Sequence, residues 1–143
     1  VTAHLSHRID DRAIQALLTS PQGGVIKDLL RRGLKVESKA KLNLQSDPRR
    51  VNTGRLRGSI RTTLVSVAGK PAVRVGTTVF YALYVHDGTG LYGPKHSLIY
   101  PRKKKVLRWK ASYGKKGGYA YARYTRGMRP NPFLKNALSA AKG

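Results

Sequence analysis

The 143-residue chain contains no cysteine, so disulfide staples and thiolate metal sites are excluded, and redox chemistry says nothing about its compartment. Acidic groups are scarce as well: Asp10, Asp11, Asp28, Glu37, Asp47 and Asp87 are the six carboxylates, and they are scattered. Hydrolysis by paired carboxylates has little to work with, and a nuclease-type cluster of metal-binding acids has less. Neither a GxxxxGK phosphate loop nor a GxGxxG turn occurs, so Gly88, Gly90 and Gly93 read as turn positions. The four histidines show no HExxH spacing, and His4 and His7 read as solvated polar residues. His86 beside Asp87 is the one pairing that invites a catalytic reading. Neighbours in sequence are expected to point about 100° apart on a helix or to opposite faces of a strand, which speaks against an acid-base pair. No apolar run approaches the ~18 residues of a membrane span, and residues 1–11 lack the apolar middle of a secretory leader. The expectation is a soluble protein made in a cytoplasm, with no enzymatic activity, no cofactor, no metal and no membrane partner.

Cations are present in excess. Lysine and arginine number 29, giving a formal charge of +23. Such a chain repels itself and is drawn to phosphate or carboxylate surfaces over the ~8 Å that physiological salt allows, so a polyanionic partner is implied. Hydrophobic residues still make up 40% of the chain, enough for one folded domain that buries roughly 70% of its unfolded surface.

Periodicity orders the elements. A short strand is expected at residues 1–5. A helix follows at residues 10–19, with Ala13, Ile14, Leu17 and Leu18 on one face and Asp10 and Asp11 at the end that favours negative charge. Ser20 and Pro21 read as the cap and first residue of a second helix, whose stripe from Val25 through Ile26, Leu30, Leu34, Val36 and Ala40 runs to about Leu44. Gly23, Gly24 and Gly33 each weaken that helix by up to ~1 kcal/mol relative to alanine. Ile60, Thr62 and Leu64 then alternate, and Val73 and Val75 resume the alternation after a turn assigned to Gly69, Lys70 and Pro71. In residues 79–88 Phe80, Tyr81, Leu83, Tyr84 and Val85 stand nearly back to back, so periodicity does not separate a buried strand from a short helix; one or two helical turns ended by Gly88 are the favoured reading. Residues 98–109 and 119–126 read as a second strand pair, with Pro101 marking an edge or a bend. Pro132 opens a closing helix capped by Asn131, with Phe133, Leu134, Ala137, Leu138 and Ala141 on one face. The whole is expected to be one α+β domain over residues 1–143. It has two N-terminal helices, an antiparallel sheet of about four strands, a C-terminal helix, and a basic loop or hairpin insertion at residues 91–127.

Within that insertion Arg102, Lys103, Lys104, Lys105, Arg108, Lys110, Lys115 and Lys116 are interleaved with Tyr100, Trp109, Tyr113, Tyr119, Tyr121 and Tyr124. Cations alternating with aromatics suit nucleic acid, where rings stack on bases and charges neutralise phosphate. A charged face toward acidic protein neighbours, or a merely solvated face over one packed strand, fits the same residues.

Three islands in order carry a resemblance. They are Asn52-Thr53-Gly54-Arg55-Leu56-Arg57-Gly58-Ser59-Ile60, then Val75-Gly76-Thr77 through Tyr81-Ala82-Leu83-Tyr84-Val85-His86-Asp87-Gly88-Thr89, and finally Arg129-Pro130-Asn131-Pro132-Phe133-Leu134-Lys135-Asn136-Ala137-Leu138. The series resembles the head-tail joining, or tail-completion, family of long-tailed bacteriophages, whose members are often called minor tail components. This sequence has His86-Asp87-Gly88 where that family often has Glu, an aromatic and Gly, carries Asn131 inside the Arg-Pro-Phe stretch, and has a longer, more basic middle. The resemblance implies a non-catalytic structural protein of the virion neck, assembled in the host bacterial cytoplasm. By the same resemblance its copies form a ring, a hexamer, that joins the head connector to the tail tube and lines the DNA path. The implied neighbours are the connector or stopper, the tail terminator and the tail tube. Arg55, Arg57, Tyr81, Tyr84, Asp87, Pro132 and Phe133 are then the candidates for contact with the next subunit or partner. Tyr81 and Tyr84 would bury their ring faces, and Asp87 would receive an Arg or Lys. The basic series from Arg102 to Lys116 is the candidate for contact with packaged double-stranded DNA or an acidic partner. The rival reading is a small basic DNA- or RNA-binding protein.

Overall fold

Local capping explains where the first helix begins. In the computed structural model, which describes residues 10–20, 23–46, 54–110 and 118–141, the Asp10 carboxylate accepts from the backbone N–H groups of Arg12 and Ala13 at 3.0 and 3.1 Å. That cap starts α1 (Asp11–Thr19). The expected strand at residues 1–5, together with His4, His7, Pro21, Asp47, Asn52, Thr53, Tyr113, Lys115 and Lys116, lies outside the described residues. The second helix, α2 (Gly24–Gln45), begins after Gly23 and not at Pro21. Its buried residues Ile26, Gly33, Val36, Ala40 and Leu44 form one stripe along a rod of ~33 Å. On the opposite side Asp28 bridges Arg31 and Arg32 at 2.8 and 2.7 Å.

A short helix, α3 (Arg55–Ser59), leads through the fully buried Ile60 into a hairpin of β1 (Arg61–Val67) and β2 (Lys70–Gly76). The turn is Ala68-Gly69, both at positive φ (50° and 74°), the type I′ geometry that matches strand twist. It therefore comes earlier than the Gly69-Lys70-Pro71 reading: Lys70 pairs with Val67 and Pro71 with Ser66 inside the ladder. Proline is tolerated there because a two-stranded ladder has only edges. The hairpin packs beneath α2, and Gly33 is what lets it approach. A Cβ built on Gly33 would lie 2.5 Å from Val73 Cγ1 and 2.6 Å from Thr62 Cγ2.

Next come α4 (Ala82–Asp87), ended by Gly88 as its sequence suggests, and a single 3₁₀ turn at Gly90–Tyr92. Strands β3 (Leu107–Lys110) and β4 (Tyr119–Ala122) pair antiparallel, and α5 (Phe133–Ala141) closes the chain. The architecture is α+β. Among the described residues four strands are divided between two separate two-stranded ladders.

The core lies where α2, α4 and α5 meet the hairpin. Val36, Ala40, Leu44, Ile60, Ala82, Phe133 and Ala137 are buried, with Leu56, Val75, Val85 and Leu134 packed around them. Asn43 ties α2 to α5, donating to the Phe133 carbonyl at 3.1 Å. Among the described residues no helix is long and apolar enough to cross a membrane, and no group of His, Asp or Glu could hold a metal.

Candidate functional site

Two of the three sequence islands meet in space. The end of α4 and the segment after it run beside the approach to α5: Asn131 N–H donates to the Val85 carbonyl, Thr89 N–H to the Met128 carbonyl and Leu91 N–H to the Arg126 carbonyl, each at 2.9 Å. The Thr89 hydroxyl accepts from Met128 N–H at 2.9 Å. The crossing needs glycine at position 127, whose φ is 83° and where a Cβ would strike the Thr89 carbonyl.

This crossing fixes α4 so that its two faces differ sharply. Ala82 and Val85 turn into the core, while Leu83 and Tyr84 on α4, and Phe80 in the turn that precedes it, stand 62%, 54% and 82% exposed. Tyr81 is half-buried, its ring edge-on to Phe80 at 5.6 Å. Of the two tyrosines expected to bury their ring faces, Tyr81 goes partly inward and Tyr84 faces outward. Leu83 and Tyr84 continue into the wall of an open cavity of about 370 Å³, whose other lining includes Asp87, Thr89, Pro94 and Ile99. Phe80 and Leu83 are absent from the residues singled out by sequence. Their signal was the near-continuous apolar run, which a six-residue helix cannot bury on all sides.

Asp87 does find a cation-capable partner, and it is its own neighbour. His86 Nδ1 lies 2.6 Å from Asp87 Oδ1, which corrects the expectation that adjacency keeps the two apart. They can converge because α4 ends at Asp87 and the chain turns away through Gly88. The imidazole also meets the Phe133 ring edge-on at 5.6 Å, so the pair is held against the core. Among the described residues no serine, threonine or further acid is hydrogen-bonded to it.

The remaining interface candidates separate. Arg55 and Arg57 are exposed on α3, and Arg57 donates to Gln45 Oε1 at 3.0 Å. Pro132 is half-buried, and its carbonyl accepts from Asn136 N–H at 2.9 Å. Phe133 is fully buried in the chain's own core and so cannot face a neighbour. Asn131 sends its side-chain amide to the Asn43 carbonyl at 3.4 Å.

The basic segment forms a second, distinct surface. From residue 88 to the end the sequence holds fourteen lysines and arginines and no carboxylate. Within it, Ile99 bridges Thr125, and the β3–β4 ladder resumes at Leu107–Ala122. Residues 100–106 on one side therefore face only 123–124 on the other, so the run Arg102, Lys103, Lys104, Lys105 bulges out of the ribbon, exposed. Strand alternation sorts the rest. Arg108, Lys110, Tyr119 and Tyr121 share one exposed face, and Leu107, Trp109, Ala120 and Ala122 share the other. The Arg108 guanidinium lies 3.7 Å over the Tyr119 ring, and Tyr100 and Tyr124 meet at 6.1 Å where the ribbon leaves the body.

No protein-family model, curated protein or solved structure matches the chain.

Proposed function

We propose that this protein is a non-catalytic structural subunit of a bacteriophage neck, copies of which close into a ring joining the head connector to the tail tube. The observation that carries the reading is the outward apolar face of Phe80, Leu83 and Tyr84. It falls inside one resembled island, and hydrogen bonds from the adjoining Val85, Thr89 and Leu91 reach the segment leading into another. Isolated exposed apolar residues are ordinary, whereas large ones clustered within five residues beside a hydrogen-bonded crossing of two segments suit a contact surface. A ring closes by heterologous contacts, one patch on each subunit meeting a different patch on the next. The unburied Ile14, Leu17 and Leu18 of α1 supply a second apolar surface of the kind such a contact requires. The scarcity of acids, and a His86–Asp87 pair to which no further acid, serine or threonine is hydrogen-bonded among the described residues, support a role through surfaces and not through bond-breaking groups.

The test is assembly. Light scattering and negative-stain microscopy of the full chain should show a closed ring, and Phe80→Ser with Leu83→Ser should leave a folded monomer. A wild-type chain that stays monomeric at high concentration, together with virions that lack the protein, would refute the reading. The rival, a small DNA- or RNA-binding protein acting alone, draws on the exposed cationic ribbon and foresees that same monomer.

A further inference from the structure

We infer that the β3–β4 ribbon with its bulge is a sequence-independent contact surface for double-stranded DNA, with Arg102, Lys103, Lys104, Lys105, Arg108 and Lys110 set against phosphates. The inference rests on the neck reading in the sense that it gives the wall of the DNA path its contact surface. Three features of the ribbon carry it. First, the surface is of one sign only, because no carboxylate occurs after Asp87, and so the chain's own acids on this segment cannot neutralise it. Second, the cations are placed and not merely abundant. The alternation of β3 and β4 puts Arg108 and Lys110 on one face, and the bulge puts four more at its base. A two-stranded ribbon also matches the ~12 Å width of the major groove of B-form DNA.

Third, the ring stacked on Arg108 gives that cation a fixed place beside the phosphates and favours duplex over single strand at this position. Free aromatic faces beside cations would favour unpaired bases, which stack on them. Here the Arg108 guanidinium already covers one face of Tyr119 at 3.7 Å, and Tyr121 is its direct cross-strand neighbour. The Tyr119 ring thus holds the guanidinium in place by cation–π contact, and its planar fork of donors suits a phosphate. An acidic protein neighbour would be served equally by cations without the rings.

The test is a salt titration of the full chain with a fluorescein-labelled duplex of mixed sequence, followed by anisotropy between ~50 and ~200 mM NaCl. Six engaged phosphates give a log-log slope of about −5, at ~0.9 per phosphate. Replacing Arg102, Lys103, Lys104 and Lys105 by Gln should flatten it by about 3 to 4, and Arg108→Gln with Lys110→Gln by about 2. All six side chains are exposed, so these changes uncover no core. The control removes the same four charges elsewhere, as Lys27→Gln, Lys35→Gln, Lys39→Gln and Lys70→Gln, and should leave the slope within about 1 of the wild type.

Equal flattening in the control, or an unchanged slope in the ribbon variants, would overturn the inference. So would polyglutamate competing as well as duplex. A single strand that binds more tightly than duplex, with Tyr119→Ala and Tyr121→Ala costing more than the loss of Arg108 and Lys110, would make the ribbon a base-stacking platform and overturn the duplex assignment. The two readings fail separately: a ring whose ribbon variants still show the full slope sinks this inference alone, and a persistent monomer with ribbon-dependent binding sinks the neck alone.

Discussion

Gly33→Ala sets two well-measured effects against each other on one residue. In the interior of a helix, alanine is favoured over glycine by ~1 kcal/mol, so propensity alone makes the substitution stabilising. The fold opposes it. The new methyl would lie 2.5 Å from Val73 Cγ1 and 2.6 Å from Thr62 Cγ2, where carbons rest comfortably at ~3.5–4.0 Å. Neither neighbour can rotate away cheaply, because both are β-branched and stiff about χ1. The hairpin must instead back off α2 by about 1 Å, at the ~1–3 kcal/mol typical of overpacking. That movement also strains the 2.7 Å hydrogen bond from the Thr62 hydroxyl to Glu37. We expect a net loss of about 1–2 kcal/mol, seen in urea denaturation as a midpoint lowered by roughly 0.5–1 M with unchanged m. Val73→Ala removes the nearer obstruction, so in the double variant the penalty of Gly33→Ala should shrink by about 1 kcal/mol or more. Gly24→Ala, where a Cβ meets nothing within 4 Å, should be neutral or stabilising. A raised midpoint for Gly33→Ala, or strict additivity with Val73→Ala, would refute the close-approach explanation.

Phe133→Ala should cost about 3–5 kcal/mol, because the side chain is fully buried where α2, α4 and α5 converge; a loss under ~1 kcal/mol in the same denaturation assay would place it outside the core. Glu37 receives hydrogen bonds from Lys41 at 2.5 Å and Thr62 at 2.7 Å, which hold its carboxyl below the ordinary value of 4.5. A depressed folded pKa stabilises above the unfolded value and fades as pH falls through the folded one, so wild-type stability should drop below about pH 4.5 more steeply than that of Glu37→Gln. Parallel pH–stability curves for the two proteins would contradict this. Ala68→Asn should stabilise by about 0.5–1 kcal/mol, since asparagine accepts the positive φ of a type I′ turn and alanine resists it; a lower thermal midpoint would argue against that turn.

Much of the fold was legible because it rests on one-dimensional period. The stripe from Ile26 to Leu44 gave α2, and the alternation about Thr62 and Val73 gave the first hairpin. What escaped depends on a second segment or on geometry without a residue signal. Gly33 read as a weakness in α2, since only the strand beneath it shows why a side chain is excluded. The hairpin turn was read late because Ala68 is not a turn former, whereas Pro71 looks like one and in fact sits in the ladder. Phe133 was grouped with interface candidates because an apolar residue that packs inward and one that packs on a neighbour look alike in sequence. The outward face of α4 was hidden for the opposite reason: the run from Phe80 to Val85 is too short for its period to be seen. The ribbon's composition was plain, but its division into a cationic and an apolar face required the register.

Among the described residues, the bridge between Ile99 and Thr125 is the strand pairing that joins the ribbon's base to the body, with the Tyr100–Tyr124 contact beside it. Tyr119 lies six residues before Thr125, roughly 20 Å along an extended strand. A tilt of about 20° at that pivot would carry it through ~7 Å. Such leverage would let Tyr119 and Lys110 follow a helical polyanion of changing phase while Phe133 and its neighbours stay as packed as before.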